Sequence, residues 1–285
     1  MIIEKAYAKV NLGLKVVNKR EDGYHNLDMI MISIDHYDEL TFEKDDQLNV
    51  ISDNYICELK DNLIYKVARL IKKKYGISSG ARITIQKNIM AGGGLGGGSS
   101  DAAATIRGLN KLWNLNLSTN EMICLGNQVG SDVAFCIEGK PSLVQGRGDI
   151  VLPLEVKIDI TVILVCPDYS MSTKEVFSRY TPKADEKEKI NELIKALKEN
   201  NNKNIALSVF NDLESTVNNI TLEKELVSNL EIVKSLINCG AINAVMTGSG
   251  STIVGIAKNE NNGNEIINKL RTIYPNYNLI CCKNR

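Results

Sequence analysis

The sequence is organised around Lys87-Asn88-Ile89-Met90-Ala91-Gly92-Gly93-Gly94-Leu95-Gly96-Gly97-Gly98-Ser99-Ser100-Asp101, which joins a predicted strand to a predicted helix. Of the 21 glycines in the chain, six lie in this one segment. Glycine has no Cβ and adopts positive φ without strain, so a run of glycines lets several backbone N–H groups converge on one anion. The following helix adds free N–H groups and the positive end of its dipole. The segment therefore predicts an anion site, such as one for nucleotide phosphates.

Other interpretations of this glycine loop are weaker. It is not a Walker A sequence, because no Gly-Lys-Ser/Thr follows at the required spacing. The Gly-x-Gly-x-x-Gly spacing of dinucleotide-binding folds can be found in it, but that spacing fits almost any run of glycines. A flexible linker is the plainer alternative, although linkers do not usually join a well-patterned strand to a capped helix.

Composition excludes several classes of function. The 285 residues include 34 Lys and Arg and 34 Asp and Glu, so the formal net charge is zero. A nucleic-acid-binding protein or a protein of anionic membranes usually carries a basic excess. No apolar run approaches the roughly 18 residues of a spanning helix, and Glu4 stands where a signal peptide would have its basic and apolar regions. We expect a cytoplasmic protein without nucleic-acid or membrane partners.

The seven cysteines and two histidines do not suggest a metal site. The cysteines are scattered without a Cys-x-x-Cys pair, and we expect most of them to be reduced core residues. His25 and His36 are too few and too poorly spaced for zinc. We therefore predict no metal bound by the protein's own side chains alone.

The residue pattern predicts two α+β halves that meet between residues 146 and 157, with domains at residues 1–152 and 153–285. Alternation and apolar runs predict strands at residues 8–16, 28–34, 39–43, 81–89, 158–166, 241–247, 252–257 and 278–282. Helical spacing predicts helices at residues 61–75, 99–113, 118–129, 172–180, 187–200, 222–239 and 264–273. A serine is the expected cap of helix 99–113, and Glu121 fits a capping box with Ser118 or Thr119.

Polar residues outside the loop each allow two interpretations. Lys9 and Asn11 share one face of a strand, roughly 7 Å apart, and strand statistics alone favour a solvated face. Asp132 precedes an apolar run, where it is either a helix cap or a general base. Tyr24 and His25 follow a glycine turn, and they either pack on the surface or hold a planar ligand. The segment 248–250 between two strands is explained by a tight turn alone.

In combination, these motifs resemble the GHMP kinase superfamily, which includes galactokinase, homoserine kinase and mevalonate kinase. The resemblance spans nearly the whole chain, at residues 8–12, 22–27, 61–63, 92–103, 130–133, 146–148, 172–177, 211–214 and 247–252. The long glycine loop together with Gly23-Tyr24-His25 is typical of the branch that phosphorylates a cytidine diphosphate-linked methylerythritol. One departure is that Met90 and Ala91 stand where that branch usually has Pro and Met.

The resemblance implies an α+β, two-domain GHMP kinase fold with a left-handed βαβ crossover in the N-terminal domain and the active site between the domains. It implies transfer of the γ-phosphoryl group of ATP, with Mg²⁺, to the 2-hydroxyl of 4-diphosphocytidyl-2-C-methyl-D-erythritol. The products are the 2-phosphate and ADP, in non-mevalonate isoprenoid biosynthesis. The expected partner is this small molecule, and the expected state is a monomer or weak homodimer.

The resemblance also implies roles for individual residues. Asp132 matches the catalytic base, and Lys9 matches the lysine that stabilises this base and the γ-phosphate. The implied ATP-binding residues are Asn62, Met90, Ala91, Gly92, Gly93, Gly94, Leu95, Gly96, Gly97, Gly98, Ser99 and Ser100. The implied substrate-binding residues are Asn11 for the methylerythritol, Tyr24 and Phe177 sandwiching the cytosine, His25 and Lys87 contacting its hydrogen-bonding edge, and Thr173 at a further substrate contact.

Two alternatives stay open. Another GHMP kinase, acting on mevalonate, homoserine or a sugar, would keep the fold and the loop, but Tyr24-His25 with Phe177 favours the cytidine substrate. A non-catalytic ligand-binding protein on the same fold would have no need of both Lys9 and Asp132.

Overall fold

The computed structural model describes residues 1–53, 57–182 and 188–285. Within these ranges the strands are β1 (Ile2–Lys19), β2 (His25–Asp45), β3 (Leu48–Ser52), β4 (Gly80–Gln86), β5 (Ser142–Gly146), β6 (Ile150–Pro153), β7 (Thr161–Cys166), β8 (Phe210–Asn211), β9 (Asn243–Met246), β10 (Ile253–Ala257) and β11 (Asn278–Lys283). The helices are α1 (Leu63–Tyr75), α2 (Gly97–Leu112), α3 (Thr119–Gly126), α4 (Val133–Glu138), α5 (Thr173–Arg179), α6 (Glu188–Lys198), α7 (Asn202–Leu207), α8 (Glu214–Glu223), α9 (Asn229–Cys239) and α10 (Glu260–Ile273). Lys187, where a helix was predicted to begin, lies outside the described residues.

The strands form two sheets. The larger has seven strands in the order β3-β4-β2-β1-β8, with β5 paired to β2 and β6 to β5. The smaller has the antiparallel order β11-β7-β10-β9. Because β8 from late in the chain pairs with β1, the two halves share a sheet edge. The predicted α+β class is confirmed, whereas the domain boundary at 152/153 stays a prediction.

Helix α1 lies between the parallel strands β3 and β4, which makes this segment a βαβ unit. The helix begins after Asn62, whose side chain accepts a hydrogen bond from the Ile64 N–H, and it ends at Gly76 in the left-handed conformation. Its buried face, including Val67 and Ile71, packs with α2 and the larger sheet. The left-handed sense of this crossover stays a prediction.

Strand β1 is covered on both sides, so its polar face is not solvated. Ala8 and Val10 belong to an apolar cluster shared with Val162 of the smaller sheet. Lys9 and Asn11 point the other way, yet they are only 4% and 1% exposed. The solvated face favoured by strand statistics is therefore wrong here, because the glycine loop lies over this side of the strand.

The predicted break at residues 35–38 is also wrong. Strand β2 runs through this segment without interruption. Tyr7 pairs with Tyr37 and Lys9 pairs with Ser33, so β2 uses two more residues than β1 over the same stretch. Residues 34–36 thus form a bulge, which re-aims side chains without ending the strand, and Tyr37 and Asp38 are paired regularly beyond it.

Helix boundaries differ from the prediction where a cap intervenes. The predicted helix 222–239 is two helices, α8 and α9, because Ser228 caps the second by accepting from the Glu231 N–H. The capping box at α3 is confirmed between Ser118 and Glu121. The serine cap of α2 is wrong, since its N-cap is Gly96 and no side chain caps it.

All seven cysteines are free, but fewer are core residues than expected, since Cys166 and Cys239 alone are fully buried. Among the described residues, none of the helices is both long and apolar enough to cross a membrane.

Candidate active site

The glycine loop runs from the end of β4 to the start of α2 and is held in place from within. Leu95 is 1% exposed, and its carbonyl accepts a hydrogen bond of 3.0 Å from the Lys9 N–H. On the other side, the Thr252 N–H donates to the Gly93 carbonyl at 3.2 Å. The loop is therefore fastened both to β1 and to the segment before β10.

Glycine is required in this loop for conformation and for space. Gly94 and Gly96 have φ of 79° and 70°. A Cβ on Gly94 would lie 2.5 Å from the Thr247 carbonyl oxygen, and one on Gly96 would lie 2.8 Å from the Lys9 Cγ. Real side chains do not fit at these distances, so the loop backbone approaches both neighbours as closely as glycine allows.

The N-terminus of α2 leaves backbone N–H groups free for an anion, because Gly96 provides no capping side chain. The two serines that follow are not equivalent. Ser100 is 2% exposed, and its hydroxyl donates to the Tyr7 carbonyl. The prediction that both serines hold phosphates is therefore corrected: the Ser100 hydroxyl is taken up by β1, and Ser99 is the one at the half-buried surface of the loop.

Lys9 and Asp132 meet beside this helix end. The Lys9 Nζ lies 3.4 Å from Asp132 Oδ2, with the two side chains 5% and 27% exposed. Asp132 occupies the N-cap position of α4, but its side chain makes no capping hydrogen bond. Of the two interpretations of Asp132, the geometry favours a carboxylate that faces a lysine, with one side open to solvent.

Asn11 has a donor left over. Its Oδ1 accepts from Lys9 Nζ at 2.8 Å, and its backbone N–H donates to Thr247 Oγ1 at 2.9 Å. Its side-chain Nδ2 is buried without a hydrogen-bond partner among the described residues. An unpaired buried donor is costly unless a ligand accepts from it, which suits a ligand oxygen next to Lys9.

The segment 247–252 brings the second half of the chain to the same place. A Cβ on Gly248 would lie 3.4 Å from the Lys9 Nζ. Asn211 holds the segment by donating from Nδ2 to the carbonyls of Met246 at 2.7 Å and Gly248 at 2.8 Å. Thr173, at the start of α5, shares a hydrogen bond of 2.9 Å with the Ser249 hydroxyl. The tight turn at residues 248–250 therefore also forms one side of the site around Lys9.

The residues expected to bind the base form two contacts rather than one sandwich. The rings of His25 and Phe177 stack with centroids 5.2 Å apart at 29°. Tyr24 is 57% exposed, with the Arg147 guanidinium 5.1 Å from its ring centroid. Burial, together with the charge of Lys19, lowers the pKa of His25, so that its imidazole is neutral at pH 7.

Lys87 does not join this cluster, which corrects its predicted role at the cytosine edge. Its Nζ contacts the carboxylates of Asp38 and Asp101. Asp38 and His25 stand thirteen residues apart on β2, roughly 40 Å of strand at about 3.3 Å per residue. A single base cannot span this separation.

Asn62 has a structural task. It is 8% exposed, and its Oδ1 accepts the 2.9 Å hydrogen bond that caps α1. The next residue, Leu63, reaches α2, since its Cδ1 would lie 3.6 Å from a Cβ on Gly98. The contact between Asn62 and adenosine that the resemblance implies stays a prediction.

Arg147 is the residue that inspection of the sequence missed. It contacts Tyr24 on one side. On the other, a Cβ on its neighbour Gly148 would lie 3.0 Å from the carbonyl oxygen of Ser131, next to Asp132. The Arg147-Gly148 segment therefore contacts both Tyr24 and the backbone that precedes Asp132. The glycines on both sides of it, Gly146 and Gly148, were the available signal.

Comparison with known proteins gives two matching family models. The model described as GHMP kinases N terminal domain matches residues 62–140, and the model described as GHMP kinases C terminal matches residues 189–276.

Relatives and a solved structure match along almost the whole chain. Two relatives are named 4-diphosphocytidyl-2-C-methyl-D-erythritol kinase. The one from Bacillus licheniformis is 40% identical over 273 residues, covering 95% of this chain and 93% of the relative. The one from Caldanaerobacter subterraneus subsp. tengcongensis is 41% identical with the same coverage. A crystal structure of a 4-(cytidine 5′-diphospho)-2C-methyl-D-erythritol kinase is 26% identical with a TM-score of 0.82, covering 99% of each chain. By its sequence matches and its fold, the chain belongs to the GHMP kinase family.

Proposed function

We propose that the protein transfers the γ-phosphoryl group of ATP to the 2-hydroxyl of 4-diphosphocytidyl-2-C-methyl-D-erythritol, giving the 2-phosphate and ADP in non-mevalonate isoprenoid biosynthesis. The names of relatives at 40% and 41% identity support this substrate. The observation that carries the chemistry is the contact of 3.4 Å between Lys9 Nζ and Asp132 Oδ2, next to the glycine loop.

The loop suits the phosphates of ATP. The N–H groups at the start of α2 are available to an anion, and the glycines place no Cβ over them. Lys9 adds a positive charge, and the methylene groups of its side chain pack against Gly96. Ser99 provides a hydroxyl. Bound Mg²⁺ would neutralise further phosphate charge, and the Ser99 hydroxyl is the side chain of the loop that would help to hold it.

Asp132 accepts the proton of the attacking hydroxyl. Lys9 stabilises the anionic carboxylate beforehand and then the charge that develops on the transferred group. Asn11 orients both, because its Oδ1 holds the Lys9 ammonium while its free Nδ2 donates to an oxygen of the acceptor. Most of the acceleration of phosphoryl transfer comes from such positioning and charge stabilisation.

The far end of the acceptor is a cytosine, and the aromatic cluster fits a planar base. Phe177 and Tyr24 offer ring faces, and the neutral His25 imidazole can donate or accept at the edge of the base. Arg147, beside Tyr24, provides guanidinium N–H donors for the hydrogen-bonding edge of the cytosine, which is the role that the resemblance implied for Lys87. Thr173 lies nearer the reacting end, through its contact with Ser249.

An ADP-release assay with a panel of alcohols tests the substrate. We expect turnover with the cytidine diphosphate-linked methylerythritol and none with mevalonate, homoserine or galactose at equal concentration. Preference for another alcohol would overturn the substrate, and ATP binding without turnover of any alcohol would favour a ligand-binding protein.

Asp132→Asn tests the base. Loss of a general base should lower kcat by roughly 10²- to 10⁴-fold, with thermal unfolding close to that of the wild type. Asp46→Asn, at an exposed carboxylate in the turn after β2, is the matched control and should retain full activity. A folded Asp132→Asn protein with normal turnover would contradict the role of this residue.

The oligomeric state and location are also part of the proposal. We expect a monomer or weak homodimer in the cytoplasm, and sedimentation analysis over a range of concentrations tests the first point.

A further inference from the structure

Three charged side chains meet beneath the glycine loop, each from a different element. Asp38 comes from the regular part of β2 that pairs with the start of β1, Lys87 follows β4, and Asp101 is the fifth residue of α2. Their side chains are 0%, 15% and 4% exposed. Lys87 Nζ contacts Asp38 Oδ2 and lies 2.8 Å from Asp101 Oδ2. We call this group the loop triad.

The loop triad touches both ends of the glycine loop. The second oxygen of Asp38 accepts hydrogen bonds from the backbone N–H groups of Asn88, at 2.5 Å, and Ile89, at 2.8 Å. These are the first residues of the loop. Asp101 lies in α2, four residues after its first residue Gly97, and Lys87 joins the two carboxylates. The distance between the start of the loop and the start of α2 is thereby set by one lysine.

The loop triad is not an arrangement that would be expected to add much to the stability of the fold. Two carboxylates face one ammonium in a buried place, and Asp101 Oδ1 has no hydrogen-bond partner among the described residues. Burial raises the pKa of Asp101 to about 7, although the Lys87 charge opposes the shift. Buried ion pairs often stabilise a fold no more than apolar residues of equal volume would, whereas they can specify one geometry.

Lys87 is charged in this setting. Burial acts to lower the pKa of Lys87, but the Asp101 and Asp38 carboxylates outweigh it and raise that pKa above its ordinary value. Its ammonium also lies near the loop, 3.5 Å from where a Cβ on Gly97 would be. The lysine is therefore a permanent cationic link directly under the first residue of α2.

We propose that Asp38, Lys87 and Asp101 are positioning residues for phosphoryl transfer, which hold the two ends of the glycine loop at the separation where its N–H groups converge on the phosphates of ATP. Fixing donors before the ligand arrives removes an ordering cost from binding and from the reaction. The inference rests on the proposed function only in that ATP is the anion.

Lys87→Met is the first test. It removes the link, and we expect the Kd for ATP, measured with a fluorescent nucleotide and no acceptor, to rise by about 10- to 100-fold. The KM of the acceptor should change by less than about twofold, since the base cluster lies elsewhere. Lys111→Met is the control, because Lys111 also pairs with a buried carboxylate, Glu4, but at the opposite end of α2.

The double variant Lys87→Met/Asp101→Asn covers the case in which Lys87→Met fails to fold. It keeps the net charge of the loop triad and leaves Asp38 with its two backbone donors. The link is still lost, so we expect the same rise in the Kd for ATP. Wild-type affinity in this folded double variant would overturn the proposal.

Asp38→Ala separates positioning from direct contact. Asp38 is wholly buried and cannot touch a nucleotide, so weaker ATP binding in this variant supports positioning, with the smaller loss expected in Asp38→Asn. If Lys87→Met weakened ATP binding while folded Asp38→Ala did not, Lys87 would act by contacting ATP itself, and the proposal would be wrong. A wild-type protein that binds ATP but does not phosphorylate the acceptor would disprove the proposed function and leave this inference standing.

Discussion

At the scale of single residues, the Lys9 ammonium connects groups that must act together. It lies 2.8 Å from Asn11 Oδ1 and 3.4 Å from Asp132 Oδ2, and its stem packs on Gly96. A cation in a nearly dry place acts more strongly on neighbouring charges than one in water. Lys9 can therefore attract both the Asp132 carboxylate and phosphate oxygens on the side of the loop.

The raised pKa of Asp101 leads to a prediction of how the free energy of unfolding depends on pH. Its pKa is about 7 in the folded protein against an ordinary value of 3.8, so the folded state binds a proton that the unfolded state has released between these values. The contribution of Asp101 to the free energy of unfolding therefore falls as pH rises from about 4 to 7. Asp101→Asn removes this fall.

Urea unfolding at pH 5 and pH 8 measures the effect. Between these two pH values, Asp101→Asn should lose less stability than the wild type, and Asp46→Asn, at an exposed carboxylate, should behave like the wild type. Equal losses in Asp101→Asn and wild type would show that this carboxyl titrates normally.

At the scale of elements, the site depends on ends and irregularities rather than on regular structure. Asp38 lies in β2 just after its irregular stretch and accepts hydrogen bonds from the start of the loop. The N-terminus of α2 lacks a side-chain cap, and the N-cap position of α4 carries Asp132 with no capping bond. Both helix starts leave backbone groups or a carboxylate available, because the usual local partner is missing.

Gly96→Ala tests the fit between the loop and β1. Alanine at a φ of 70° costs about 1–2 kcal/mol, and its Cβ would also meet the Lys9 Cγ at 2.8 Å. We expect lower stability and a kcat reduced by about tenfold or more, because Lys9 is displaced from Asp132.

Gly76→Ala is the matched control for the backbone strain. Gly76 has a φ of 65°, and nothing lies within 4 Å of the added Cβ. It should lower the melting temperature by a similar amount and leave kcat unchanged. If both variants had normal kcat, close packing of Gly96 on Lys9 would have no catalytic role.

At the scale of the whole molecule, the site lies where the two halves of the chain meet. The first half contributes Lys9 and Asp132, and the second contributes Thr247 and Asn211 through the turn next to Lys9. The aromatic cluster also joins the two halves, since His25 is the first residue of β2 in the larger sheet and Phe177 belongs to α5.

Phe177→Ala tests this cluster. Loss of one stacking face should cost about 1–3 kcal/mol of acceptor binding, so the KM of the acceptor should rise by about 5- to 150-fold while the KM of ATP stays unchanged. Phe177→Leu keeps apolar volume without the ring and should fall in between. An equal rise in both KM values would indicate a disturbed fold and not a lost base contact.

Much of the site was predictable from neighbouring residues. The anion site at the glycine loop, the capping box of α3 and the family resemblance all rest on motifs within short segments, where backbone conformation follows from residue type. Contacts between residues that are distant in sequence decided other points. Alternation alone favoured a solvated face for Lys9, and only the family resemblance implied that it belongs to the site. Ser100 was expected to hold phosphate, because the pattern of a helix start does not show which backbone carbonyl lies above it.

The sequence by itself predicted an anion site at the glycine loop, since loop chemistry is a local property, and its motifs resembled those of the GHMP kinases. Three-dimensional packing alone assigned Lys87 to Asp38 and Asp101, set Arg147 beside Tyr24 and left Asn11 with a free donor. Partners of this kind are distant in sequence. Which of the many charged residues pair with one another depends on how the strands and the two halves of the chain pack. That choice depends on long-range burial, which no short pattern of residues records.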